Sequence, residues 1–275
     1  MQAFDREKQG GEAYQLVRCR RCKLVYLNPR PAESASQKYY QQETYLPFVS
    51  TKSGLSVTEW LYKTLRRFNS RWKRRQIEKW HPQKGKLLDV GCGTGEFLKE
   101  MVDHGWDGRG MERDPQAVAH AIEQLKLRAF VGTLENLPSV SESYDVVTLW
   151  HVLEHLYDPH NAVQKIRDLL KPGGLLVIAV PNINSVDARF YRQYWVALDT
   201  PRHLMHFNLK TLRMMCEMHK FELMAHKNLP LDAFFNSFAS EMEIEKFSGS
   251  SRWLRPLRLM RAGAVAKASL LAGLQ

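Results

Sequence analysis

Four groups of residues in this sequence could do chemistry. The run LLDVGCGTG at 87–95 ends an apolar stretch in an acid, Asp89, and then sets Gly91, Gly93 and Gly95 where a backbone must turn tightly and let a ligand come close. Glu112 follows about twenty residues past the first glycine, at the end of a second apolar stretch, where an acid can accept two ribose hydroxyls. Histidines His151 and His155 in HVLEH, and His203 and His206 in PRHLMHF, could take a proton near neutral pH. Cys19 and Cys22 form half of a zinc knuckle.

The glycine turn must be positioned by a strand before it and a helix after it. The pattern predicts a strand ending at Asp89–Val90, a helix over 96–103, a strand over 108–112 and a helix over 115–125 with Pro115 in its favoured first turn. Strands are expected over 128–131, 144–150 and 175–180, with a helix over 159–170 stopped by KPGG. Such alternation makes an α/β, Rossmann-like, doubly wound and mostly parallel sheet, which takes ligands outside the carboxyl ends of its strands. Further on, a helix over 209–219, a strand over 221–226 and a basic amphipathic helix over 253–271, with Leu254, Leu257 and Met260 inward, are expected.

Spacing and charge narrow the ligand. A dinucleotide fingerprint, G-x-G-x-x-G, would place its third glycine at position 96, where Glu96 stands. Asp89 and Glu96 on either side of the turn would repel a pyrophosphate at the helix start. A sulfonium ligand with an ammonium group and no phosphate wants those acids. The spelling H-x-x-E-H at 151–155 is also a zinc-protease signature, but here it follows a strand and stops at Asp158-Pro159, whereas that use needs a sustained helix.

The formal charge of +11 concentrates between Lys63 and Lys86. Apolar Trp60, Leu61, Leu65, Phe68, Trp72 and Ile77 recur there at near-helical spacing, so the cations read as the wet face of a leading helix or as an anion-binding patch. No signal-like start, no apolar run of spanning length and four irregularly spaced cysteines together predict a cytoplasmic protein.

LLDVGCGTG, GMERDP, VGTLENLP, YDVVTLWHVLEHLYDP and LLKPGGLLVIAVPN, in that order over 86–182, resemble the class I S-adenosylmethionine-dependent methyltransferases. WVALDTPRHLMHF, 195–207, further looks like the substrate-side insert of a branch close to the ubiquinone-biosynthesis O-methyltransferases. The resemblance implies a seven-stranded sheet, order 3-2-1-4-5-7-6, with S-adenosyl-L-methionine across the first two strand ends. It implies Asp89, Gly91, Gly93 and Gly95 on the methionine side, Glu112 on the ribose, Leu134 by the adenine and Trp150 closing the pocket. Relatives in that branch hold a divalent metal on E-x-x-E-H; His151 replaces the first acid here, and no metal is expected.

The expected domains are an N-terminal segment, 1–58, whose cysteine pair is a degenerate zinc knuckle; a methyltransferase domain, 59–230, with its insert at 182–207; and a helical tail, 231–275. The expected activity is O-methylation of a small-molecule, glycan or lipid-linked acceptor, with His151, His155 and His203 as catalytic candidates. Two alternatives stay open: an RNA methyltransferase using the basic 63–86 stretch, and a cofactor-binding scaffold without catalysis. Peripheral membrane contact through the tail is a further expectation.

Overall fold

The computed structural model describes residues 2–4, 13–39, 57–134, 137, 143–248 and 255–272. The chain divides into two compact units, Tyr40–Val180 and a second made of Met1–Tyr39 with Pro181–Gln275. The expected boundaries at 58 and 230 do not coincide with that division. The reason is a strand pairing between the two ends of the second unit.

In that unit β1 (Gln2–Phe4), β2 (Ala13–Arg18) and β3 (Val25–Leu27) run antiparallel in order. Cys19 and Cys22 sit in the turn between β2 and β3, where the Cys19 amide donates to the Leu24 carbonyl at 2.9 Å. Among the described residues they join no cluster of three or more potential metal ligands.

The unit Tyr40–Val180 begins with α1 (Val57–Trp80). Of the apolar set expected, Ile77 is buried and Trp72 half-buried, but Leu65 and Phe68 are exposed, and Ser70 and Lys73 are buried beside Ile77. The side chains of Trp60 and Leu61 lie outside the described residues. Strands β4 (Lys86–Val90), β5 (Asp107–Glu112), β6 (Ala129–Val131), β7 (Tyr144–Trp150) and β8 (Leu170–Ala179) form one parallel sheet in the order β6-β5-β4-β7-β8. Helices α2 (Glu96–Asp103), α3 (Pro115–Glu123) and α4 (Pro159–Leu169) make the crossovers. Asp114 and Asp158 cap α3 and α4, each with proline in the first turn, as the sequence indicates.

Leu87, Leu88, Val146, Val147 and Leu149 are fully buried on the central strands, the near-continuous apolar runs of a sheet covered on both faces. Ile77, Phe97, Leu98, Met101, Trp106, Ala121 and Leu127 pack against Leu87 and Val146. The sheet corrects the seven-stranded expectation. It realises 3-2-1-4-5 only, and among the described residues no strand pairs outside β8, whose residues from Leu175 on are half-buried.

After β8 the chain enters the second unit through α5 (Val186–Tyr191), two 3-10 turns, Arg192–Tyr194 and Val196–Leu198, and β9 (Met205–His206). Strand β9 pairs antiparallel with β3, Val25 opposite His206, and so ties the expected insert to the N-terminal segment. Then come α6 (Leu209–Met218), opened by an Asn208–Thr211 capping box, α7 (Pro230–Ser248) and α8 (Arg255–Ala272). The strand expected over 221–226 does not form: the segment carries no ladder and Leu223 and Met224 are exposed. Leu257 and Met260, expected inward on the last helix, face solvent, and Leu254 lies outside the described residues.

Candidate functional site

The carboxyl ends of β4, β5 and β7 carry the chemistry. Gly91 has φ +69°, and a Cβ there would lie 2.4 Å from Val152 Cγ2, so only glycine fits. Gly93 has φ +54° with no atom within 4 Å of where its Cβ would be, an open floor over which a ligand can approach the backbone. Gly95, also left-handed, is the N-cap of α2. The amides of Gly91 and Cys92 both donate to the Met111 carbonyl, at 2.7 and 3.1 Å, which pins the turn to β5.

Glu112 closes β5 under that turn. Its Oε2 accepts from the Gly93 amide at 3.0 Å, and its Oε1 accepts from the amides of Arg113 and Asp114 at 2.8 and 3.1 Å. A carboxylate held by three amides has a fixed direction before any ligand arrives. Asp89 is 2% exposed, and its Oδ1 accepts from the Thr148 hydroxyl at 2.6 Å. Burial pushes the Asp89 carboxyl up to about 7; the Thr148 hydrogen bond and Lys73 oppose the rise, and Glu112 adds to it. Burial likewise raises the Cys92 thiol, which leaves it inert as a nucleophile. Glu96, whose charge argued against a phosphate, accepts from the Thr94 hydroxyl at 2.8 Å and pairs with Arg66 at 3.1 Å.

Lys73 of α1 and Trp150 at the end of β7 complete this corner. The Lys73 ammonium lies 4.2 Å from the Trp150 ring centroid, and Phe97 meets the same indole edge-on at 5.2 Å. Sequence reasoning missed Lys73, because a basic residue in a basic helix carries no local signal. Thr148 was findable: it is the one threonine in the apolar strand YDVVTLW.

His151 follows Trp150 with φ +58°, a left-handed conformation that costs a non-glycine residue about 1–3 kcal/mol and that clusters at functional sites. Its amide donates to the Ala179 carbonyl of β8 at 2.9 Å, which holds the strained backbone. The side chain is 38% exposed, and Nδ1 lies 3.5 Å from Oε1 of Glu154, whose side chain is 1% exposed. Glu154 and His155 belong to the 3-10 turn Leu153–His155, and the His155 amide donates to the Val152 carbonyl at 3.0 Å. Leu134 is buried just past β6, next to the strand that ends in Glu112.

The structure thus brings Asp89, Gly91, Gly93, Gly95, Glu112, Trp150 and His151 to adjacent strand ends. His203 and His206 belong to the other unit and are buried there; Nδ1 of His203 donates to the Ala197 carbonyl at 2.9 Å, and His206 lies in β9. A cavity lined by Lys86, Asp107, Arg109, Phe130 and Tyr144 opens at the amino ends of the strands, the edge where sheets of this kind do not take cofactors.

The residues present fit a cationic, ribose-bearing ligand. The buried Trp150 Nε1 has no hydrogen-bond partner among the described residues, the floor over Gly93 is open, and two acids end adjacent strands. The basic stretch is partly consumed by the fold: Arg74 bridges Glu78 and Glu100 of α2 at 2.5 and 2.9 Å, and Lys84 pairs with Glu78.

The chain is similar to known proteins. Residues 61–226 match the family described as Methyltransferase domain. The ubiquinone biosynthesis O-methyltransferase of Aliivibrio fischeri (strain MJ11) is 38% identical over 105 residues, 36% of this chain and 45% of that protein. The enzyme of the same name from Cronobacter sakazakii (strain ATCC BAA-894) is 38% identical over 106 residues, 36% of this chain and 44% of its own. The chain therefore spans less than half the length of the curated relatives it matches. The crystal structure of a proposed sarcosine dimethylglycine methyltransferase from Galdieria sulphuraria superposes with a TM-score of 0.52 at 16% identity, covering 74% of this chain and 80% of that one, which bears on the fold alone.

Proposed function

The chain belongs to the class I S-adenosylmethionine-dependent methyltransferases, and from that premise we propose that it methylates a hydroxyl oxygen of a small-molecule, glycan or lipid-linked acceptor, with His151 as base. The relatives named O-methyltransferases support the oxygen acceptor. The observation that carries the role of His151 is its pairing with Glu154 at the end of β7, directly after Trp150.

When bound, S-adenosylmethionine supplies a methyl carbon already activated by the sulfonium. The chain's work is to position, to exclude water and to move one proton. Asp89 and the glycine turn hold the cationic end, Glu112 takes the ribose hydroxyls, Leu134 lines the adenine and the Trp150 indole closes the pocket. Glu154, buried 3.5 Å from Nδ1, orients the His151 ring and stabilises it when protonated, which leaves Nε2 to accept the acceptor's proton. His155 in the same turn is the second candidate for that proton.

Incubation of a cell extract with labelled cofactor, followed by a search for products heavier by one methyl, tests the activity. With an acceptor in hand, His151→Ala should lower turnover about 10²- to 10⁴-fold while cofactor affinity holds. Equal losses in both would reduce His151 to a pocket wall. Cofactor binding without turnover on any acceptor would favour the scaffold reading.

One observation favours a second reading. Arg67, Arg71, Arg75 and Lys79 are exposed at four-residue spacing on α1, a cationic stripe about 18 Å long by helical rise. An RNA acceptor would make activity fall steeply with salt and fail on reversing Arg71 and Arg75; Arg74 must be spared, because it ties α1 to α2.

A further inference from the structure

The turn between β2 and β3 carries two thiols that methyl transfer leaves unused. The Lys23 amide donates to the Cys19 carbonyl at 3.1 Å and closes one helical turn, while the Cys19 amide donates across the hairpin to the Leu24 carbonyl at 2.9 Å. Lys23 then takes φ +66° to enter β3. Positions 19 and 22 are thus neighbours on one turn, and a disulfide joins Cα atoms about 4.4–6.8 Å apart. The two side chains already meet, because the Cys22 thiol hydrogen-bonds to the Cys19 sulfur. Both are half-buried, with Arg18, Arg20, Arg21 and Lys23 exposed around them.

Those cations stand unopposed. Among the described residues none of the four pairs with an acid, and the Lys23 ammonium donates to the Arg20 carbonyl at 2.7 Å. Cys19 is the nucleophile of the pair. The amides of Cys22 and Arg21, and then the Cys22 thiol, donate to its sulfur and hold the Cys19 thiol below its ordinary range. Burial does the reverse to the other two cysteines, pushing Cys216 up to about 11 and raising Cys92 as well. A structural zinc needs four ligands, and among the described residues the pair joins no cluster of three.

We infer that Cys19 and Cys22 form a reversible thiol–disulfide exchange site for a small disulfide that carries carboxylates. The Cys19 thiolate attacks one sulfur of that reagent, whose S–S bond breaks, and one half leaves as a thiolate. Cys22 then loses its proton and attacks the Cys19 sulfur of the mixed disulfide, and the second half leaves. The pair gives up two electrons, and each departing half takes up one of the protons that the two thiols released. The flanking cations draw the carboxylates in. A bond closing so short a loop restricts the unfolded chain little, and one at an exposed turn is of the labile kind, so excess thiol reverses the exchange. None of these residues belongs to the cofactor corner, and the inference does not depend on the methyl-transfer reading.

Oxidised glutathione at neutral pH is the probe, applied to the full chain, with the remaining thiols alkylated after denaturation and located by mass spectrometry. The expected product has Cys19 joined to Cys22, Cys92 and Cys216 alkylated and no glutathione retained, and dithiothreitol restores the pair. Cys22→Ser should stop at a glutathione adduct on Cys19, and Cys19→Ser should slow the reaction at least about tenfold. Arg20→Glu with Arg21→Glu should slow oxidised glutathione more than it slows the uncharged hydroxyethyl disulfide. Circular dichroism matching the parent certifies that each variant is folded. Four outcomes overturn the inference: no reaction at the pair, a glutathione adduct that persists on Cys19 of the parent, oxidation of Cys92 or Cys216 as fast as Cys19, or a bound Zn²⁺ that keeps both thiols reduced.

Discussion

The two units distribute polarity in opposite ways. Around β4 and β7 the interior is aliphatic, and the charged groups Asp89, Glu112 and His151 stand at the strand ends. Around α7 and α8 the interior holds a carboxylate, a guanidinium and hydroxyls, and the aromatic side chains point out. The contrast teaches that burial follows the surroundings an element must satisfy. In the first unit the apolar side chains fill the sheet's interior, and the charged groups gather at its strand ends. In the second the helices are held by polar contacts on their inner faces, and apolar side chains are left outward.

The contrast breaks most sharply at Glu241. Replacing Glu241 by Ala leaves the buried Tyr191 hydroxyl without its acceptor and the half-exposed Arg261 without its partner, and should cost about 2–3 kcal/mol in denaturant unfolding. In the sheet unit the matching cost comes from an aliphatic side chain: Leu88→Ala should lose about 3 kcal/mol through its cavity. A loss under about 1 kcal/mol for Glu241→Ala would show that the polar interior holds nothing together.

Glu112 sharpens the other side. Glu112→Ala removes the carboxylate proposed to accept from both ribose hydroxyls and frees the Gly93 amide, so S-adenosylmethionine affinity should fall about 100-fold, roughly 3 kcal/mol. Calorimetry showing unaltered affinity would refute the ribose assignment.

The smallest effect is a pH dependence. Asp89 stands at 3.8 when unperturbed and at about 7 in the folded protein, so between those values the folded state holds the extra proton. Its contribution to stability therefore falls as pH rises through that window. Affinity for a cationic ligand runs the other way: only the ionised carboxylate attracts it, and affinity should rise roughly tenfold from pH 6 to pH 8. Asp89→Asn should flatten that slope, and a flat profile in the parent protein would remove Asp89 from the cation's partners.

The sheet and its turn were legible because they obey local rules. Apolar strands, proline-led helices capped by Asp114 and Asp158, and glycines at left-handed positions each follow from short stretches of chain. Reading failed where a rule was applied without its surroundings. Leu65, Phe68, Leu257 and Met260 were expected inward because apolar faces usually are, yet their helices bury Ser70, Lys73 and Arg258 instead. The strand expected over 221–226 had the right composition, but among the described residues no partner pairs outside β8 to receive it.

The sequence by itself determined the cofactor class and the five-stranded parallel core, since glycine stereochemistry and strand periodicity are written in adjacent residues. Only the tertiary structure decided that Lys73 lies over Trp150 and that β9 joins the N-terminal β3. It also decided which faces of α7 and α8 turn outward. These depend on contacts between elements far apart in the chain, where no local preference of backbone or side chain selects the partner.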